Sequence, residues 1–511
     1  MRTQPVSLIR RRSSSFGCIS WIAALVLITA HAAGFAVPGG AEIDDADITR
    51  AVRTNLQTDK GVSAHLIDVS THDGVVVLKG TVDNILAEQR SLRIAQAVKG
   101  VRSVVNEIDV NPVTRSDEKI RADVLSALAV DPATESYDVM VTVDDGVVGL
   151  SGTVDSWAER NLAEKVAKGI RGVHAIDNTI TVEYDEERPD LEIQKEIERK
   201  LALNPHIEEQ WIDVSVKEGN VELNGAVGTV AQRSLVYNES WVLGTESVSA
   251  DDVEIKWWAR DEMVRDDNLV VKTDSALEQA VKDALLWDPR TLSFEIGVEA
   301  EKGTVTLTGV VDNLKTKRAA GRDARNTVGV DEVRNYIMVR PYEPADNVIE
   351  ENVDDALGWD PVVERHEIDP VVRNKKVYLY GNVDNHYEKA HAEDVVAGVN
   401  GVAEVSNNLT VNGKWQWKSD REITSDVENE LYWSWVVDES AIDVTVDEGV
   451  ATLKGDVGSW QERRAAVEEA FAGGAKVVVS RLDVEGIAYD EKPIYFTDES
   501  TAFSSPVLIP Q

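Results

Sequence analysis

The chain has 511 residues, too many for one compact core, and its 43% hydrophobic and 28% charged content is ordinary for folded protein. Against 53 basic residues stand 91 acidic ones, a formal net charge of −38. No cluster of lysine and arginine is large enough to hold a polyanion, so nucleic acid is excluded as a partner, and bulk attraction to an anionic lipid surface is opposed.

The N-terminus carries Arg10, Arg11 and Arg12, an apolar run from Phe16 to Ala30, and small-residue cleavage options at Ala30-His31-Ala32 or Gly34-Phe35-Ala36. That order predicts a signal peptide over residues 1–36 and a periplasmic or otherwise exported protein, with an uncleaved leader acting as an anchor as the alternative. The one cysteine, Cys18, precedes the bulk of the apolar run, which argues against lipidation there. Without the leader there is no thiol for a disulfide, a nucleophile or a thiolate metal site.

Beyond the leader one stretch recurs six times: apolar alternation after a turn, broken by a glycine, as in Val148-Gly-Leu150-Ser-Gly152-Thr-Val154. The signature glycines are Gly80, Gly152, Gly225, Gly309, Gly381 and Gly455. An isolated glycine in a strand pattern marks a bulge or a close backbone approach.

In chain order, each unit opens with apolar residues at helical spacing: Ile48/Val52/Leu56, Ile120/Val124/Leu128, Ile193/Ile197/Leu201, Leu277/Val281/Leu285, Ile349/Val353/Leu357 and Ile423/Val427/Leu431. Asp47, Asp117 and Asp190 are placed to cap the helix or face its positive end. Prolines 132, 205, 289 and 361 stop it. A hairpin follows, with glycine at its turn in five units and Asn374-Lys375 in the fifth, where asparagine tolerates left-handed angles. Ser156 and Ser459, each three residues before a glutamate, predict the start of a second helix. Small pairs such as Ser91/Ala95, Ala163/Ala167 and Ala320/Ala324 let that helix approach a sheet, and Gly100, Gly172, Gly329 and Gly401 end it. A last strand closes the unit, for example over 175–182, 333–339 and 405–411.

The predicted fold class is α+β: a tandem array of six small α-β-β-α-β domains, each a three-stranded sheet covered by two helices. The domains span 44–112, 115–185, 188–258, 274–341, 345–413 and 419–486, with a linker over 259–273 and a disordered tail over 487–511. In the third and sixth units the second helix lacks the small-residue pattern.

This order, with Val-x-Leu-x-Gly-x-Val in the hairpin and Gly-Val-x-x-Val after the second helix, resembles the BON domain family of bacterial osmotic-shock and nodulation proteins. The six signature glycines match that family's central glycine, and Gly100, Gly172, Gly329 and Gly401 match its second. Ala451 replaces the valine of the signature in the sixth unit, and Gly244 lies one residue short in the third. The resemblance implies a non-enzymatic envelope protein that contacts phospholipid or envelope components and supports envelope integrity under osmotic or other stress. The alternative is an acidic scaffold binding envelope proteins or itself.

No residue is assigned a catalytic, cofactor or metal role, and no cofactor is expected. Of the histidines beyond the leader, His386 and His391 are five apart, not the four that would stack two ligands on a helix face. Asp144-Asp145, Asp251-Asp252 and Asp354-Asp355 do not form the alternating oxygen-ligand loop of a calcium hand. Tryptophan is more informative. Two residues after the third core position of the first helix stand Thr58, Val130, Leu203, Trp287, Trp359 and Trp433, with Trp435 close by. Two residues turn a helix by about 200°, which takes these rings off their own core stripe. Trp287, Trp359, Trp433 and Trp435 are therefore the candidate interface, toward a phospholipid surface, an envelope protein or another repeat.

Overall fold

In a computed structural model, residues 43–134, 137–184, 188–256, 273–340, 344–364, 366–412, 418–434, 436–458, 460–484 and 494–497 are described. The predicted leader, almost all of the predicted linker, Trp435 and Ser459 lie outside them.

The first helix of repeat one, Asp45–Thr58, starts where the Asp44 side chain accepts the Ala46 N–H, and buries Ile48, Val52 and Leu56 as the spacing predicts. Its five counterparts are Asp117–Val130, Asp190–Leu203, Asp274–Trp287, Asp346–Trp359 and Asp420–Trp433, each likewise of 14 residues with its apolar triplet buried. The position occupied by Thr58, Val130, Leu203 and the three tryptophans is thus the last residue of each first helix.

The first residue of the helix does more than face a dipole. Asp45 accepts the N–H groups of Asp73 and Gly74, at 2.8 and 2.9 Å, from the tip of the following hairpin. Asp117, Asp190, Asp346 and Asp420 hold two turn N–H groups each in the same way, and Asp274 holds that of Lys302. In repeat one Asp47 instead pairs with Arg50. The clamped turns have left-handed angles at both central residues, including Asn374 and Lys375 at φ of 53° and 64°, the geometry that matches strand twist in a two-residue hairpin.

In repeat one the sheet has strand Val75–Val82 at its centre, antiparallel to Ile67–His72 and parallel to Ser103–Val110. Its inner face, Val76, Leu78 and Val82, is buried under the helices. The signature glycine lies where the central strand crosses the carbonyl preceding the first strand. A Cβ on Gly80 would stand 1.9 Å from the Leu66 oxygen, and on Gly455 1.8 Å from that of Ala441.

Second helices run Ile85–Ala97, Trp157–Lys168, Val230–Glu239, Leu314–Arg325, His386–Ala397 and Trp460–Ala472, that of repeat three being shortest at 10 residues. Ser156 caps its helix by accepting the Glu159 N–H, while the Glu159 carboxylate reaches back to the N–H of Asp155. Gly100, Gly172, Gly329 and Gly401 adopt φ between 86° and 91°, and Gly244 follows at 92°.

Two expectations need correction. The last strand is continuous in repeat one but split in repeats two, four and five, as Ala175–Asn178 with Thr181–Val182, Glu332–Asn335 with Met338–Val339, and Glu404–Asn407 with Thr410–Val411. At each break an asparagine, Asn178, Asn335 or Asn407, accepts the N–H two residues on with its own side chain, a local turn that Asn106 also makes inside the continuous strand of repeat one. In the predicted disordered tail, Ile494–Thr497 is a strand, antiparallel to Val477–Ser480 at the open edge of the sixth sheet. Four β-prone residues are too few to register as a period.

Candidate interface between repeats

A helix ends with carbonyl groups that no intrahelical N–H can reach. In this array some of those at the ends of first helices are satisfied by another repeat. The Trp359 carbonyl accepts the N–H of Arg171 at 2.7 Å, and the Val130 carbonyl accepts the N–H of Asn400 at 3.1 Å. Arg171 and Asn400 are the residues just before Gly172 and Gly401, so repeats two and five exchange the same contact in both directions. The Arg171 guanidinium also pairs with Glu364. Trp359 packs on the cores of both repeats, and Val130 on that of repeat five.

Repeats three and four meet at the same positions. The Leu203 carbonyl accepts the N–H of Val328, which precedes Gly329, at 3.0 Å. The Trp287 indole Nε1 donates to Glu196 Oε1 at 3.0 Å, and its ring faces Arg199 and Lys200 at 5.6 and 5.3 Å. Arg199 in turn pairs with Asp283 at 3.3 Å.

Repeats one and six complete the series. Trp433 is 8% exposed and belongs to the hydrophobic cluster of repeat one, with Ile48, Val52 and Leu56, rather than to that of its own repeat. Lys99, which precedes Gly100, places its ammonium 4.9 Å from the ring centroid of Tyr432. The pairing is therefore nested: one with six, two with five, three with four.

Other contacts tie these pairs to each other. Asp131 and Arg290 join repeats two and four through two bonds of 2.9 Å, with both side chains 9% exposed. Burial disfavours the charge of each, but their mutual attraction outweighs it, holding the Asp131 carboxyl below its ordinary range and raising the Arg290 guanidinium. Arg318 pairs with Glu393 between repeats four and five, Trp157 stacks on Trp241 at 5.0 Å between two and three, and Arg90 lies over the Tyr387 ring at 4.6 Å between one and five.

Of the predicted interface residues, the structure thus places Trp287, Trp359 and Trp433 between repeats, with Trp287 and Trp359 half-buried. The sequence reading missed Arg171, Val328 and Asn400, whose contribution is a main-chain N–H that leaves no mark on side-chain identity. It read Asp117 and Asp190 as helix caps only, and missed their clamp on the hairpin turn, although the constant distance from these aspartates to the turn was open to view.

Two groups of three metal-capable side chains occur among the described residues: Asp45, His72 and Asp73, and His366, Asp384 and Glu388. In the first, Asp45 clamps the hairpin turn; in the second, Glu388 caps a helix by accepting the Asp384 N–H and lies 3.0 Å from His366. Both carboxylates are accounted for by the fold.

The sequence profile of the BON domain matches residues 44–112, 116–184, 189–248, 273–341, 345–413 and 419–486. The chain belongs to the BON domain family. Osmotically-inducible protein Y of Escherichia coli is 32% identical over 145 residues, covering 27% of this chain and 72% of that protein. Outer membrane lipoprotein DolP of Haemophilus influenzae is 27% identical over 166 residues, 31% of this chain and 86% of its own. A 21 kDa hemolysin of Actinobacillus pleuropneumoniae is 27% identical over 148 residues, 28% of this chain and 75% of its own. The α+β fold repeated along the chain is that of six BON domains, and BON relatives include osmotic-stress and envelope-associated proteins.

Proposed function

We propose that this protein is a non-enzymatic scaffold of the bacterial envelope whose BON domains bind BON domains, through the end of the first helix on one side and the glycine loop after the second helix on the other. One observation carries the reading: the reciprocal backbone bonds Arg171 to Trp359 and Asn400 to Val130. A surface that donates and accepts through equivalent positions on both partners is self-complementary, as in a two-fold dimer. The same surface suits a BON domain of another copy or of another envelope protein. Envelope residence is supported by the relatives' names and by the N-terminal leader pattern. Among the described residues no helix is long and apolar enough to cross a membrane. The tryptophans are engaged between repeats and the net charge is −38, which favours protein over phospholipid as the partner.

Every pair in the nest joins repeats one to three with repeats four to six. A site-specific protease sequence inserted between residues 257 and 272 of the full chain tests this directly. After cleavage the two pieces are expected to migrate as one particle in native buffer and to separate in denaturant. Separation in native buffer at micromolar concentration would sink the reading. Co-sedimentation of the uncut chain with phospholipid vesicles that disappears on replacing Trp287, Trp359 and Trp433 would favour a lipid partner instead.

A further inference from the structure

In repeat three the two helices are bridged by an ion pair, Lys200 Nζ to Glu239 Oε2 at 3.1 Å. Counted from the signature glycine, the same two positions in repeat six hold Glu430 and Glu469. Two carboxyl groups stand where a cation and an anion stand in repeat three. The helices that carry them are close: a Cβ on Gly473 would lie 2.7 Å from the backbone nitrogen of Val427. Glu430 is 5% exposed.

The surrounding charges do not relieve this pair. On the first helix Asp426 adds a like charge, and Lys418, the nearby cation, is bound to Asp426 at 2.7 Å. On the second helix Glu468 adds another, itself paired with Arg464 at 2.8 Å. Repeat one contributes Lys99, which lies over Tyr432. Burial and then the Glu430 charge push the Glu469 carboxyl up to about 8, against a hydrogen bond with Ser434. Burial and then Asp426 push Glu430 up to about 7, against Lys418.

The position of these acids matters because Glu430 lies one helical turn before Trp433, the ring buried in the core of repeat one, and Ser434 is the residue after it. We infer that the contact between repeats one and six is a proton-operated clasp, closed while Glu430 and Glu469 retain a proton between them and loosened when both ionise. A carboxyl whose affinity for the proton is raised by folding stabilises the closed form fully below its ordinary range of about 4.3. That contribution fades as pH rises, up to about 7 for Glu430 and about 8 for Glu469. The pair formed by repeats two and five has Ala127 and Val166, and Ala356 and Val395, at these positions and so lacks the carboxyl pair; there His391, held against burial above the ordinary imidazole range by Asp360 at 2.8 Å, is one titrating group against two.

Hydrogen exchange of the full chain, corrected for intrinsic rates, reads both pairs in one sample. From pH 6 to pH 8, opening of segments 423–434 and 48–58 is expected to increase at least tenfold more than opening of 120–130 and 349–359, since each raised carboxyl contributes up to tenfold per pH unit. Glu469→Gln should remove most of that excess. Glu430→Lys, which recreates the Lys200 and Glu239 arrangement, should remove it all. The inference fails if the two sets of segments respond equally in the unaltered chain, or if both variants keep its pH dependence. It uses the pairing of repeats but not their proposed scaffold role, which is judged separately by whether the cleaved halves stay together.

Discussion

Asp131 and Arg290 bind each other through two parallel hydrogen bonds, and neither has more than a tenth of its side chain in contact with solvent. Replacing Arg290 with alanine strands a buried carboxylate, at an expected cost of roughly 3–5 kcal/mol in chemical unfolding. Replacing both, Arg290 by methionine and Asp131 by leucine, is expected to recover most of that loss, because the charges themselves are costly to bury. A single variant as stable as the unaltered chain would mean the pair is open to water.

The same pair sets an acid limit. Arg290 holds the Asp131 carboxyl below its ordinary range, so its stabilisation is present above about 3.9, the unfolded value, and is lost as pH falls through the lower folded one. Unfolding midpoints measured from pH 5 downward should fall more steeply in the unaltered chain than in the methionine–leucine double variant.

The signature glycines rank themselves. Alanine at Gly455 or Gly80 would place a Cβ under 2 Å from a carbonyl oxygen, whereas at Gly309 the nearest oxygen is 2.8 Å away. Gly455→Ala and Gly80→Ala are expected to unfold their own repeats. Gly309→Ala should cost only about 1–3 kcal/mol, the price of one strained residue. A larger loss at Gly309 than at Gly455 in denaturant titrations would contradict the crossing geometry.

The clamping aspartates predict a local response. Backbone bonds from Gly74 and Asp73 hold the Asp45 carboxyl below its ordinary range, and those from Glu218 and Gly219 do the same at Asp190. This stabilisation is present above about 3.9 and disappears as pH falls through the lowered values. Asp190→Ala should free the N–H groups of Glu218 and Gly219 to exchange at neutral pH, visible by NMR as loss of protection at that turn.

Trp433 and Trp287 should behave differently. Trp433→Thr removes a ring buried in the core of repeat one and is expected to cost about 3–5 kcal/mol, felt in repeat one although the substitution is in repeat six. Trp287→Thr loses a half-buried ring and one bond to Glu196, about 1–2 kcal/mol. Unfolding midpoints unchanged within about 0.5 kcal/mol for Trp433→Thr would place that ring at the surface.

The repeat, its element order and the glycine at its centre could be read from the chain because each is a local regularity copied six times. Helical spacing at Ile48, Val52 and Leu56 names a buried stripe without reference to any other repeat, and the rotation of about 200° to Trp433 takes that ring away from the stripe of its own helix. What lay over the ring could not be read, since the core of repeat one is many residues away and no local period points to it. The nest of pairs is likewise written in carbonyl and amide groups that every residue possesses. Asp131 shows a further limit: beside Pro132 it reads as a helix stop, and nothing near it announces a guanidinium from Arg290.

The nested pairing carries a consequence for the time course of folding. Repeats three and four are neighbours along the chain, whereas one and six enclose everything between them, and the entropy of closing a loop grows with its length. Once the inner pair has formed, the loop left for the next pair is shorter, so assembly is expected to run outward like a zipper, with the Trp287 contact before the Trp433 contact. During synthesis, repeats one to three emerge before any of their partners exists. Whatever receives the nascent chain must therefore tolerate three unmatched surfaces until the second half follows.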